Sequence, residues 1–172
     1  MSRVSLLRLL GACALLCVAP AHAAGPVGAP VAAKGRATIL LPASFVKLMD
    51  MDFGSLTVTT AGTAILDSNT GNVTTTGGVT LVGGRPHAAG FDAVSPTKNV
   101  VKVTLPNKAV TLTRIGGTET MTVDTWTING ATTRNVVAHQ EFQFQVGGTL
   151  HVGANQVEGA YLGTFDVTLT YN

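Results

Sequence analysis

Apolar and polar residues alternate with a period of two along most of this chain. That period places successive side chains on opposite faces of a β-strand. "NVVKVTLP" (99–106) alternates Val101, Val103 and Leu105, and "AVTLTRIGG" (109–117) alternates Val110 and Leu112 before a glycine pair. "ETMTVDTWTING" (119–130) alternates Met121 and Val123 and ends at Asn129-Gly130, a strong turn signal. "EFQFQVGGTLHV" (141–152) alternates Phe142, Phe144 and Val146, breaks at Gly147-Gly148, and resumes with Leu150 and Val152. Further strands are predicted in "ATILLP" (37–42), "MDFGSLTVTT" (51–60), "GTAILDS" (62–68) and "AAGFDAVS" (88–95). "NVTTTGGVTLVGG" (72–84) is another, with a turn or bulge at Gly77-Gly78. The weak helix candidate is "ASFVKLMDM" (43–51), where Phe45, Leu48 and Met49 fit one helical face. Short strands at roughly ten-residue intervals predict an all-β antiparallel sandwich of the immunoglobulin-like kind.

The first residues read differently. Arg3 and Arg8 precede an apolar run to Val18, and Ala21-His22-Ala23 follows. This is the three-part pattern of a secretory signal peptide, with cleavage expected after Ala23. Leu10-Gly11-Ala12-Cys13 loosely resembles a lipoprotein cleavage box, but the apolar run continues past Cys13. The domain reading is therefore a signal peptide at 1–23, an N-terminal extension at 24–36 and a β-sandwich at 37–172. Export to the periplasm, then to the cell surface or medium, is the expected route. No transmembrane segment is expected in the mature chain, because no later run approaches roughly 18 apolar residues.

Cleavage changes the chemistry. Cys13 and Cys17 leave with the signal, so the mature chain of about 150 residues folds as one domain without a disulfide. Losing Arg3 and Arg8 leaves nine basic residues against nine acidic ones. That balance gives nucleic acid no basic patch to bind. Only 12% of the chain is charged, well under the usual share for a soluble surface. A Thr-rich, charge-poor surface suits packing against copies of itself.

Catalytic motifs are missing from the pattern. "FGSLT" is only half of a nucleophile elbow, and His87, His139 and His151 lack the close pairing of a metal motif. Asp50-Met51-Asp52 has no glycine-centred acidic loop after it to make a calcium site, and reads as a solvated turn. "GGRPHAAG" lies between strands and offers a phosphate no helix N-terminus. No enzyme activity, cofactor or metal is expected.

The last fourteen residues, "GAYLGTFDVTLTYN", carry the specific signal. Phe165, Val167, Leu169 and Tyr171 alternate with Asp166, Thr168, Thr170 and Asn172, although chain ends usually fray. Gly159 stands fourteenth from the end and Tyr171 is penultimate. This pairing resembles the C-terminal motif of pilus subunits assembled by the chaperone–usher pathway. More widely, "FGSLTV", "AILDSNTGNV", "GFDAVS" and the run from Phe142 to Asn172 resemble a bacterial family of secreted domains of uncharacterised function. That family is related to fimbrial subunits and to spore-coat-U-type proteins. The chain departs from well-known pilins in lacking their disulfide.

The resemblance implies a sandwich one strand short, completed by strand exchange. A periplasmic chaperone would capture the C-terminal edge (Gly159, Phe165, Val167, Leu169, Tyr171), with an outer-membrane usher as the second assembly partner. The next subunit's N-terminal segment would then replace the chaperone by β-augmentation. In "AGPVGAPVAAKGR", Val27, Ala29, Val31 and Ala33 alternate as a donor strand would, while Pro26 and Pro30 share the other face. A disordered N-terminus is the competing reading of that segment. The expected function is a structural subunit of a secreted fibre or coat, partnered by copies of itself or related subunits. The alternative is a self-complete secreted sandwich that binds a ligand such as a glycan, with Trp126, Tyr161 and Tyr171 as the side chains able to stack on a sugar.

Overall fold

The alternation resolves into eleven strands in a computed structural model, which describes residues 43–172. These residues belong to one compact unit, Ile39–Asn172. The strands are β1 (Ser44–Met49), β2 (Ser55–Leu66), β3 (Val73–Gly83), β4 (Ala89–Val94), β5 (Asn99–Thr104) and β6 (Val110–Arg114). They continue with β7 (Thr120–Ile128), β8 (Thr133–Val136), β9 (Glu141–Val152), β10 (Tyr161–Leu162) and β11 (Thr168–Tyr171). No helix occurs among the described residues. The proposed signal peptide, the donor segment and the strand expected at 37–42 lie outside them.

Every strand pairing is antiparallel, and the strands form two sheets in a curled, sandwich-like arrangement. The larger sheet runs β1-β4-β9-β7-β6-β10, with β2 also on β9 and β3 on β2. The smaller sheet is β11-β5-β8.

The long strand β9 organises the larger sheet. Its first half pairs with β4, from Val94↔Glu141 to Ala89↔Val146. Its second half pairs with β2, from Leu66↔Gly148 to Gly62↔Val152. The handover falls at Gly147, where a Cβ atom would lie 2.2 Å from the Leu66 carbonyl oxygen and 2.9 Å from the Ser68 nitrogen. Glycine lets two neighbours converge there, so Gly147-Gly148 changes the strand's partner without ending the strand.

The same reasoning joins two predicted strands into one. "MDFGSLTVTT" and "GTAILDS" supply the single twelve-residue β2. The register with β3 slips between Val58 and Gly62, opposite Val79 and Gly77. Thr59–Ala61 of β2 oppose the single Gly78, so the bulge lies in β2, and Gly77, at φ +64°, lets β3 run on past it.

Residues 43–51 correct the helical expectation. Ser44–Met49 is a strand laid along β4, with Phe45 paired to Ala93 and Lys47 to Phe91. The Phe45 ring stacks at 5.6 Å on Phe91 and 6.0 Å on Phe144. The free ladder of β4 and these aromatic contacts outweigh a helical pattern that had no partner of its own. β8 was also absent from the expected elements. The turn at Asn129-Gly130 leads across to the smaller sheet, where β8 pairs with β5, and does not close a hairpin onto β7.

Two apolar clusters fill the interior. Phe53, Ala64, Leu66, Val79, Val123, Leu150 and Val152 form the first. Ala89, Phe91, Val103, Phe144 and Val146 form the second, where the smaller sheet meets β4 and β9. Burying each larger side chain is worth about 1.5–3 kcal/mol. Arg134 of β8 clamps the rim of the second cluster. Its Nε donates to the Ala131 carbonyl at 2.7 Å, and its two Nη atoms donate to the carbonyls of Gln143 and Asn129. Its guanidinium carbon lies 5.6 Å from the Phe144 ring centre, and burial pulls its pKa down from the ordinary arginine value.

Candidate functional site: two open strand edges

The C-terminal strand lies beside β5, in the register Thr168↔Thr104, Leu169↔Val103, Thr170↔Lys102 and Tyr171↔Val101. Asn172 N–H donates to the Val100 carbonyl at 2.9 Å, and Val100 N–H returns a bond to Asn172 at 3.2 Å. Among the described residues, β11 has β5 on one side and no strand on the other. Its outer edge therefore presents unpaired backbone donors and acceptors.

The strand is shorter than its alternation suggests. Residues 164–167 keep the alternating burial but form no ladder. Phe165, Val167 and Leu169 all pack on the second cluster, and their neighbours Asp166, Thr168 and Thr170 are exposed. The Tyr171 hydroxyl donates to the Val94 carbonyl at 3.4 Å, and burial raises the phenol's pKa. Phe165 lies 4.7 Å from Trp126, ring centre to ring centre, tilted by 34°. The four row residues thus share one face, and all four are only half-buried.

Gly159 is elsewhere. It sits in the loop before β10 with φ +139°, over the side chain of Arg114, where a Cβ would meet Arg114 Cδ at 3.0 Å. Around it the chain is held by hydrogen bonds. The Tyr161 hydroxyl donates to the Val157 carbonyl and accepts from Gln156 Nε2, both at 2.6 Å. Arg114 Nε donates to Glu119 at 2.7 Å, which holds the Glu119 carboxyl below its usual range and Arg114 above its own. The structure does not bring Gly159 to the C-terminal row. Val27, Ala29, Val31 and Ala33 lie outside the described residues.

A second open edge went unread in the sequence. Among the described residues β1 pairs with β4 alone, and none of its six residues is buried. Phe45, Val46, Leu48 and Met49 are all exposed, from 37% to 55%. The two edges approach each other, because the Val94 carbonyl reached by Tyr171 belongs to the residue paired with Ser44 at the start of β1. The order Phe45-Val46-Lys47-Leu48-Met49 has no apolar–polar alternation, so the helical pattern was the stronger signal there.

The remaining candidates are structural in their contacts. Asp50 is taken up by Lys47, and Asp52 Oδ1 accepts the Gly54 N–H at 2.7 Å in a tight turn. His87 bridges to Asp52 through backbone bonds of 2.9 Å, and His139 occupies a turn with φ +60°. His151 Nε2 lies 2.8 Å from Asp124 Oδ1. Among the described residues, no three His, Cys, Asp or Glu side chains converge to hold a metal ion. No helix among them is long and apolar enough to cross a membrane.

The architecture is that of an antiparallel β-sandwich-like domain in which β1, β3, β8, β10 and β11 have a strand on one side only among the described residues. Residues 44–171 match the model of a family described as a domain of unknown function (DUF4402), and the chain belongs to that family. No curated protein and no solved structure matches the chain.

Proposed function

We propose that this protein is a structural subunit of a secreted surface fibre or coat, joined to its neighbours by β-strand complementation in the manner of pilus subunits. The observation that carries this reading is the half-covered apolar row Phe165-Val167-Leu169-Tyr171 on an unpaired edge. An added strand on that edge would complete the main-chain ladder of β11 and cover the row, and alternate side chains would set its register. The exposed apolar residues of β1 flank the same opening at Val94. β11 itself, Thr168–Tyr171, carries no charge, while β1 carries Lys47 at mid-strand; solitary soluble domains usually blunt their edges with charge or proline.

In this reading residues 24–34 of one subunit, with Val27, Ala29, Val31 and Ala33 on one face, supply the strand to the next. A periplasmic chaperone holds the edge before joining, and an outer-membrane usher releases the growing fibre. The test is deletion of residues 24–34, followed by size-exclusion chromatography and electron microscopy of the exported protein. A folded monomer that forms no fibre is expected. Polymerisation as efficient as that of the full mature chain would remove the donor role, and so would simple unfolding.

A further inference from the structure

In a regular strand, consecutive side chains face opposite sides of the sheet, so three in a row cannot line one hollow. Asp124, Thr125 and Trp126 nevertheless all border one hollow. The cause is a bulge in β7, where the pairing with β9 slips between Asp124↔Thr149 and Thr127↔Gly147. Thr125 sits in that bulge with φ +48°, a left-handed conformation that glycine or asparagine usually supplies and a β-branched residue resists. Strain of this kind persists where the surroundings enforce it, and bulges that re-aim side chains gather at functional sites.

The re-aimed residues are held firmly. Thr125 Oγ1 donates to Asp124 Oδ1 at 2.9 Å, and the same oxygen contacts His151 Nε2 at 2.8 Å. The hydrogen bond with His151, then that with Thr125, holds the Asp124 carboxyl below its usual range. The Trp126 indole N–H donates to the Lys108 carbonyl at 3.3 Å, and Phe165 supports the ring at 4.7 Å. These groups and the turn Leu105–Ala109 enclose an open cleft of about 460 Å³. The other flank of that turn borders a second hollow of about 400 Å³ that reaches Thr164 and Asp166.

The lining selects the ligand class. The cleft is too open for a wholly apolar ligand, which favours enclosed apolar pockets. Its one lysine and one carboxylate give no like-charge cluster for a polyanion. Trp126, half-buried against both apolar clusters, and Pro106 supply the apolar part of the lining, while Asp124, Asn107, Lys108 and Thr125 offer acceptors and donors for hydroxyl groups. We infer that this cleft is a carbohydrate site, taking a neutral pyranose oligosaccharide against Trp126 with its hydroxyls on Asp124 and Asn107. The inference does not depend on subunit joining, since the cleft is formed within one chain.

Trp126 is the only tryptophan in the chain, so intrinsic fluorescence reports this site alone. The full-length chain is titrated with cellotriose, maltotriose and chitotriose, and immobilised on a glycan array. A saturable change in Trp126 emission is expected with at least one sugar, weakened tenfold or more in Asn107→Ala and in Asp124→Asn. Thr125→Gly separates site from scaffold. Glycine adopts the φ of +48° freely but removes the hydroxyl that steadies Asp124, so a built site keeps its fold and loses affinity, and unchanged binding in this variant would overturn the role given to the bulge. The inference is overturned if no sugar binds, if binding leaves Trp126 emission unchanged, or if all three variants bind like the parent.

Discussion

β5 and β11 lie side by side, paired residue for residue, with the same alternation and the same inward face. Yet Val101 and Val103 of β5 are 0% and 1% exposed, while their partners Tyr171 and Leu169 stay half-buried. The difference is not in the strands themselves. β5 has β8 on its far side and the Phe91–Phe144 stack beneath it, whereas β11 ends the sheet among the described residues. Alternation decides which way a side chain points; coverage depends on what the rest of the chain lays over it. A strand with an inward face and an unfinished flank is the form expected of a site that another strand completes.

The largest test of this contrast uses phenylalanines. Phe144 is 1% exposed and stacks on Phe91 at 5.2 Å. Phe144→Ala should cost about 3–5 kcal/mol in urea unfolding, enough to consume much of a domain's stability. Phe165 of the terminal row is half-buried against Trp126. Phe165→Ala should cost roughly half as much, about 1.5–2.5 kcal/mol, in proportion to the apolar area it removes from water. Equal losses would mean that the terminal row is covered as fully as the core.

Valines give a like-for-like version with a smaller effect. Val103→Ala removes two buried methyl groups and should cost about 2 kcal/mol. Val167→Ala, from the half-covered row, should cost about 1 kcal/mol or less in the monomer. In a fibre built by strand complementation, the Val167 value should rise towards that of Val103, because the incoming strand would cover it. Chemical unfolding of monomeric and assembled protein measures both. If the gap between the two valines stays the same after assembly, no strand has been added over the row.

Much of this contrast could be read from residue order. The inward rows of β5, β7, β9 and β11 follow directly from their alternation, because half-buried antiparallel strands select it. What residue order did not carry was non-local. "SFVKLM" fits a helix as well as a strand, and the free ladder of β4, more than 40 residues on, decides in favour of the strand. Gly147 marks a change of neighbours, but it reads as a break until β2 and β4 are known to meet there. β8 has only four residues, too few for a clear period. Of the candidate site, the face of Phe165, Val167, Leu169 and Tyr171 was legible, while the displacement of Gly159 and the exposure of β1 were not. The strained bulge at Thr125 was equally hidden, since threonine is an ordinary strand residue until its φ is known.

The smallest expected effect tests the register on which the comparison rests. Asp166 falls between Phe165 and Val167, and it is exposed while both neighbours are half-buried. It takes part in none of the ion pairs among the described residues. Removing its carboxylate therefore takes away neither packing nor a charge partner. Asp166→Ala should change stability by no more than about 0.5 kcal/mol in either direction, as surface substitutions usually do. Alanine also has weak strand propensity, but residues 164–167 form no ladder, so that penalty has little to act on. The measurement is the shift in urea midpoint at constant slope, set beside Phe165→Ala in the same conditions. If the two substitutions cost the same, the terminal row is out of register by one residue. The face now assigned to the core would then be the exposed one, and the contrast between β5 and β11 would come from misalignment, not from a missing neighbour.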